Sequence, residues 1–214
     1  MRKTVVATVL VMSTLVCKAQ VKTAIFGGPH ISTAKYSING QKQSTSGKCG
    51  FQLGTTLKVP FENKLYFAPA FFYSLKGYEV AFTQKASPPD SMAIDNNTTI
   101  HTFELGALAQ YDFTAQPGHF FVKAGPSVDL QLSGKEKFTK KDNTTVERDM
   151  TFSFTKYGRV AANLIMQFGY ETKNGFQFFV QYNYGIGNMN NADFGPSVYH
   201  RVYGISIGKY LGKK

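Results

Sequence analysis

Residues 102–113, Thr-Phe-Glu-Leu-Gly-Ala-Leu-Ala-Gln-Tyr-Asp-Phe, alternate between polar and apolar side chains. Successive side chains of a β-strand point to opposite faces, so this stretch predicts a strand with one apolar and one polar face. The apolar face holds Phe103, Leu105, Ala107, Ala109, Tyr111 and Phe113. The polar face holds Thr102, Glu104, Gly106, Gln110 and Asp112, and Leu108 is the exception.

The same alternation recurs along the chain and predicts eight strands, at residues 20–34, 48–60, 65–79, 98–113, 119–133, 151–171, 175–188 and 198–211. Three connections are tight, namely 61–64, 114–118 and 172–175, and the last contains the hairpin pair Asn174-Gly175. The other connections are long and polar, at 35–47, 80–97, 134–150 and 189–197. An even number of strands with alternating short and long connections is typical of outer-membrane β-barrels.

The direction of the apolar faces follows from their composition. Aromatic residues lie near their ends with smaller aliphatic residues between, as in a lipid-facing band between two aromatic girdles. We therefore predict an all-β fold, an eight-stranded antiparallel up-and-down transmembrane β-barrel, in which the first strand pairs with the last because lipid tolerates no open edge. Pro69 and Pro126 each remove a ladder hydrogen bond, and we expect a bulge near one or both of them. The alternative is a soluble ligand-binding barrel with an apolar interior.

The N-terminus has the three parts of a signal peptide. Met1-Arg2-Lys3 is basic, Thr4 to Val16 is mostly apolar, and Cys17-Lys18-Ala19 places small residues at a cleavage site. We predict a signal peptide over residues 1–19 and one barrel domain over 20–214, located in the outer membrane. The exported chain would keep one cysteine, Cys49, which builds no disulfide framework.

The predicted inner face carries charges of both signs. Buried charges are tolerated only when they are paired and hydrogen-bonded, so we predict a structural polar network that fills the lumen. Glu104 is expected near Lys123 or Arg159, and a gated ion or solute path is the alternative. The network consists of Lys58, Lys76, Glu104, Asp112, Lys123, Asp129, Arg159 and Glu171.

Catalytic signals are weak. His30 and Ser32 stand two apart, as in barrels that deacylate lipid A, but the neighbouring strands offer no obvious carboxylate to orient the histidine. The scattered histidines show no metal-ligand spacing. We therefore predict no enzyme activity, no cofactor and no metal site.

Two short segments carry a family resemblance: Phe121-Val122-Lys123-Ala124-Gly125-Pro126-Ser127 and Gln181-Tyr182-Asn183-Tyr184-Gly185-Ile186-Gly187-Asn188. They resemble the Bacteroidota outer-membrane β-barrel family, which includes the PorT-like proteins. A signal peptide that ends at Ala19-Gln20 is similar to those of exported proteins in that phylum. The resemblance implies a small OmpX-like barrel without catalytic residues, and for some members a part in type IX secretion or gliding.

The predicted function is a structural or surface-interaction role for a monomer in the cell envelope. Expected partners are outer-membrane lipid, lipopolysaccharide phosphates attracted by lysines of the long loops, and envelope or secretion proteins. The formal net charge is +11, but we expect no nucleic-acid partner for an exported barrel. The alternatives are an accessory of protein secretion or gliding, a lipid-A-modifying enzyme, and the soluble ligand-binding barrel.

Overall fold

The structure is a computed structural model that describes residues 21–212, and the predicted signal peptide, residues 1–19, lies outside this range. No helix in residues 21–212 is long and apolar enough to cross a membrane. Within that range the chain forms twelve strands: β1 (Lys22–Ile38), β2 (Gln41–Lys42), β3 (Ser44–Glu62), β4 (Leu65–Phe67), β5 (Ala70–Ala81), β6 (Asp95–Gly106), β7 (Ala109–Asp112), β8 (His119–Thr139), β9 (Thr145–Asp149), β10 (Val160–Glu171), β11 (Phe176–Gly185) and β12 (Ser197–Leu211).

The strands close into an antiparallel barrel, which confirms the predicted fold. The barrel wall is crossed eight times by the chain, and we call each crossing a stave. β4 and β5 together form one stave, and β6 and β7 form another. β1 pairs with β3 on one side and with β12 on the other, so the first stave closes on the last as predicted. The short strands β2 and β9 extend the sheet at the end that carries the long loops.

The predicted strand bounds are wrong at the loop end of the barrel, most of all in the fifth and sixth staves. The sixth stave begins at Val160 rather than at residue 151, and residues 151–159 belong to a loop. Conversely, β8 continues to Thr139, where β9 and β6 satisfy its backbone hydrogen bonds. A strand can continue through polar residues beyond the membrane. The alternation of polar and apolar residues therefore does not locate the strand ends there.

The bulge predicted near Pro69 or Pro126 lies at neither proline in the described residues, because the register is unchanged across both. Their carbonyl groups remain in the ladder: Leu57 N donates to Pro69 O, and Ala107 N donates to Pro126 O, both at 2.9 Å. Each proline therefore removes only its own N–H. The register shifts lie elsewhere, between Gly47 and Gln52, Pro60 and Glu62, and His101 and Thr102.

The apolar faces point outward. Leu105 is 60% exposed and Val180 is 53% exposed, although both are large and apolar. Along β11, Phe176 and Phe178 lie on one side of Val180, and tyrosines lie on the other. The alternative of a soluble barrel with an apolar interior is therefore wrong.

The interior is not uniformly polar. An apolar cluster fills one level of the lumen and consists of Phe26, Ala68, Ala70, Phe72, Leu108, Phe121, Ile165 and Phe179. It explains the exception in residues 102–113, since Leu108 is the inward side chain that joins this cluster. A second cluster, the loop-end cluster, includes Tyr36, Tyr78, Ile100, Met150, Tyr157 and Met189.

Candidate functional site

Charged side chains occupy two levels of the lumen, separated by the aromatic part of the apolar cluster. Inward positions along β8 give the order of the levels, from His119 through Phe121 and Lys123 to Asp129. We call Lys58, Asp112, His119 and Glu171 the mouth cluster, because it lies at the end with the tight turns. We call Lys76, Glu104 and Asp129 the central cluster.

One lysine holds two carboxylates in the central cluster. Lys76 Nζ lies 2.8 Å from Glu104 Oε2 and 2.8 Å from each carboxylate oxygen of Asp129. Glu104 and Asp129 are direct cross-strand partners on β6 and β8, and Lys76 comes from β5, the neighbour of β6. The three side chains are 0–3% exposed, so they fill the lumen at this level.

Neutral side chains complete the hydrogen bonding of Glu104. Ser127 Oγ donates to Glu104 Oε1 at 2.5 Å, and Asn183 Nδ2 donates to Oε2 at 3.2 Å. Asn183 Oδ1 in turn accepts from Gln181 Nε2 at 2.7 Å. Hydrogen bonds offset the desolvation of a buried charge, which explains how two carboxylates tolerate a single cation here.

Two residues predicted for the network lie apart from Glu104. Lys123 lies at the aromatic level, where its Nζ is 5.0 Å from the ring centroid of Phe121 and 5.8 Å from that of Phe179. This is a cation–π arrangement. Arg159 is exposed and lies over Phe152, because its stave begins only at Val160. The cation beside Glu104 is Lys76 rather than Lys123 or Arg159.

The mouth cluster spans the barrel. Lys58 on β3 reaches across the lumen, so that its Nζ lies 2.6 Å from Asp112 Oδ2 and 2.9 Å from Glu171 Oε2. His119 and Glu171 are direct cross-strand partners, and His119 Nε2 is 3.0 Å from Asp112 Oδ2. A cavity of about 870 Å³ opens here and is lined by all of these residues.

The hypothesis of a histidine–serine pair at His30 and Ser32 finds no support in the geometry. Ser32 Oγ donates to Gly77 O at 2.8 Å and accepts from Gly77 N at 2.7 Å, so the hydroxyl is held by backbone. His30 Nε2 lies 3.1 Å from Ser74 Oγ instead. A nucleophile needs a hydroxyl that its base can deprotonate, and Ser32 is not bound to His30.

The long loops are tied to one another around Glu136, which sequence patterns did not reveal. Arg148 Nε donates to Glu136 Oε1 at 2.7 Å, and Arg148 Nη2 donates to Pro89 O at 2.6 Å. Tyr157 OH donates to Glu136 Oε2 at 2.8 Å. Burial raises the pKa of the Tyr157 hydroxyl well above its usual value, so this group keeps its proton.

Comparison with known proteins gives a family and a set of structural neighbours. The profile of the family described as "Outer membrane protein beta-barrel domain" matches residues 19–191. No curated protein sequence matches the chain. OprG from Pseudomonas aeruginosa is 14% identical, with 90% of this chain and 96% of that chain covered and a TM-score of 0.48. Ail of Yersinia pestis is 15% identical, with coverages of 89% and 99% and a TM-score of 0.44. Neisserial surface protein A is 12% identical, with coverages of 88% and 97% and a TM-score of 0.45.

Proposed function

The chain belongs to the outer membrane protein beta-barrel domain family, and from this membership we propose that it is a non-enzymatic barrel whose ordered loop end contacts partners at the cell surface. The family and the fold make it an outer-membrane β-barrel protein. The observation that carries the surface role is a pair of phenylalanines at the loop end. Phe154 and Phe194 are 96% and 102% exposed.

These two aromatic side chains stand on backbone that is held in place. Asn191 N donates to Lys156 O at 2.6 Å, and Asn191 Nδ2 donates to Ser153 O at 3.2 Å, so the two loops that carry Phe154 and Phe194 are joined. Exposed aromatic side chains on fixed backbone lose little conformational entropy on binding, and such residues are frequent anchors of protein interfaces. This arrangement supports a contact surface that faces away from the cell.

The interior supports a role without catalysis or transport. Lys76, Glu104 and Asp129 fill the lumen, and the Ser32 hydroxyl is engaged by Gly77. We expect no steady conductance when the purified protein is inserted into planar bilayers. A stable open current would contradict the filled lumen and favour the alternative of a solute path.

The surface role is tested in a deletion strain complemented with variants. The double variant Phe154→Ser/Phe194→Ser should reproduce the deletion defect in assays of cell adhesion and envelope integrity. The matched control is Phe61→Ser, because Phe61 is 75% exposed but lies near the end of β3, beside a tight turn at the opposite end of the barrel. If the double variant restores the wild-type phenotype in full, the loop-end surface is not the functional one. A deletion that changes the mass spectrum of lipid A would favour the enzyme alternative.

Export and lipid partners belong to the same proposal. We expect residues 1–19 to be removed as a signal peptide, which mass spectrometry of the outer-membrane protein would show as a chain that begins at Gln20. The PorT-like segments support a Bacteroidota origin. Arg201 lies over the outward Tyr184, with Nη1 donating to Gly185 O and His200 O, and its other N–H groups are the ones we expect to donate to lipopolysaccharide phosphate at the wall of a monomer. Removal of the lipid phosphates should then weaken lipopolysaccharide binding by the wild type more than by Arg201→Gln.

A further inference from the structure

Three side chains of the mouth cluster, each from a different stave, could together bind a metal ion. Asp112 ends β7, His119 begins β8 and Glu171 ends β10. One potential ligand atom from each residue lies within 4.8 Å of those from the other two. Two carboxylates and one imidazole are donors that suit a divalent transition-metal ion such as Zn²⁺.

The histidine is oriented as a metal-binding histidine would be. His119 Nδ1 lies 2.9 Å from Gln116 O, and a carbonyl oxygen only accepts, so Nδ1 carries the hydrogen. Within residues 21–212, no side chain or backbone group forms a hydrogen bond with His119 Nε2, although the side chain is only 9% exposed. This nitrogen lies 3.0 Å from Asp112 Oδ2 and 3.6 Å from Glu171 Oε2. His119 Nε2 therefore faces two carboxylate oxygens while Nδ1 is held by a backbone carbonyl, which is the orientation of a histidine that binds a metal ion through Nε2.

The spacing of the donor atoms fits a single small ion. Ligands at about 2.0–2.2 Å from a tetrahedral Zn²⁺ are separated by roughly 3.3–3.6 Å. The two distances from His119 Nε2, 3.0 and 3.6 Å, are close to this range. Gln110 Nε2 donates to Asp112 Oδ1 at 2.7 Å, which holds the carboxylate while Oδ2 faces the cluster. Such outer hydrogen bonds orient metal ligands.

Lys58 lies where the ion would bind. Its ammonium group contacts the same two oxygens, Asp112 Oδ2 and Glu171 Oε2. Lys58 Nζ also lies 4.5 Å from the ring centroid of Tyr66, which lines the mouth cavity. If an ion displaced the ammonium group, this ring would still offer it a cation–π contact. We propose that Asp112, His119 and Glu171 form a binding site for a divalent transition-metal ion, and that Lys58 is the cation which this ion displaces. The site is open to solvent through the mouth cavity, and the proposal is independent of the surface role.

The test measures Zn²⁺ binding to the full-length chain, purified from outer membranes in detergent without a polyhistidine tag. Calorimetry should show one Zn²⁺ per chain for the wild type. Lys58→Met removes the competing cation and should raise the affinity about tenfold, whereas His119→Gln should lower it about 100-fold. His101→Gln is the matched control, because His101 is exposed and hydrogen-bonded to Tyr73 OH on the outer wall.

Heat-modified migration on gels shows whether each variant is folded, and added Zn²⁺ should raise the unfolding midpoint of Lys58→Met because the ion replaces the lost charge. Co²⁺ in the wild-type site should give visible absorption that His119→Gln alters and His101→Gln leaves unchanged. The proposal is overturned if folded wild type and Lys58→Met both lack stoichiometric Zn²⁺ binding. It is equally overturned if His119→Gln binds Zn²⁺ as tightly as the wild type.

Discussion

Lys76→Met is the substitution that most directly tests how the lumen is stabilised. In the described residues, Lys76 is the one cation within 4.0 Å of Glu104 and Asp129, and its removal leaves two adjacent carboxylates without a counter-charge. Breaking a buried ion pair by removing one partner costs about 3–5 kcal/mol. We expect a loss of that size in the free energy of unfolding.

The central cluster holds two carboxylates but one cation, so the loss of a carboxylate should cost less stability than the loss of the lysine. Glu104→Gln leaves one cation paired with one anion, Lys76 with Asp129, and should cost only about 1–3 kcal/mol from altered hydrogen bonds. The combined change of Lys76→Met, Glu104→Gln and Asp129→Asn removes all three charges. It should be more stable than Lys76→Met alone, because no uncompensated charge stays buried.

Unfolding in urea from lipid vesicles provides the measurement. The chain contains no tryptophan, so circular dichroism and the difference in gel migration between folded and unfolded chains are the suitable signals. The reasoning is refuted if Lys76→Met lies within about 1 kcal/mol of the wild type, or if Glu104→Gln is the more damaging of the two.

Other parts of the barrel give further tests. Val180→Arg places a charge on the outer wall between the aromatic ends of β11 and should cost about 2–4 kcal/mol in the same unfolding assay, against about 0–1 kcal/mol for an interfacial site. Gly125→Val should abolish the heat-modified gel band, because a side chain there would collide with the backbone oxygen of Ala107. Arg148→Ala removes the counter-charge of the buried Glu136 and the hydrogen bond to Pro89 O, so it should speed protease cleavage of the 80–97 loop on intact cells and lower the free energy of unfolding by about 1–3 kcal/mol.

Alternation in the sequence was sufficient to predict the staves and their faces. The tight turns were equally readable: Gly175 has a φ of +77°, which glycine adopts at little cost and which Asn174-Gly175 predicts. The start of the sixth stave was not readable, because Phe152 and Phe154 continue the alternation into the loop. Phe154 is almost fully exposed there, and no property of the sequence separates it from a lipid-facing residue.

The ion pairs across the lumen could not be predicted from the sequence. Alternation shows which face of the sheet a side chain lies on, but not its level along the barrel axis. Lys76 contacts Glu104 and Asp129 through the register of β5, β6 and β8. The same limit hid the mouth cluster: His119 stands opposite Glu171 only because the hairpin and the register bring their staves level. Histidine spacing along the chain therefore misses a site assembled from separate strands.

The length of β8 sets how far the protein extends from the bilayer. Its 21 residues span about 70 Å at roughly 3.4 Å per residue. A tilt of about 40° reduces this to a height of about 50 Å, twice an apolar band of about 25 Å. The remaining wall therefore projects beyond the apolar band and holds the loop tips away from the membrane surface. A large partner could then contact those tips without approaching the lipid headgroups.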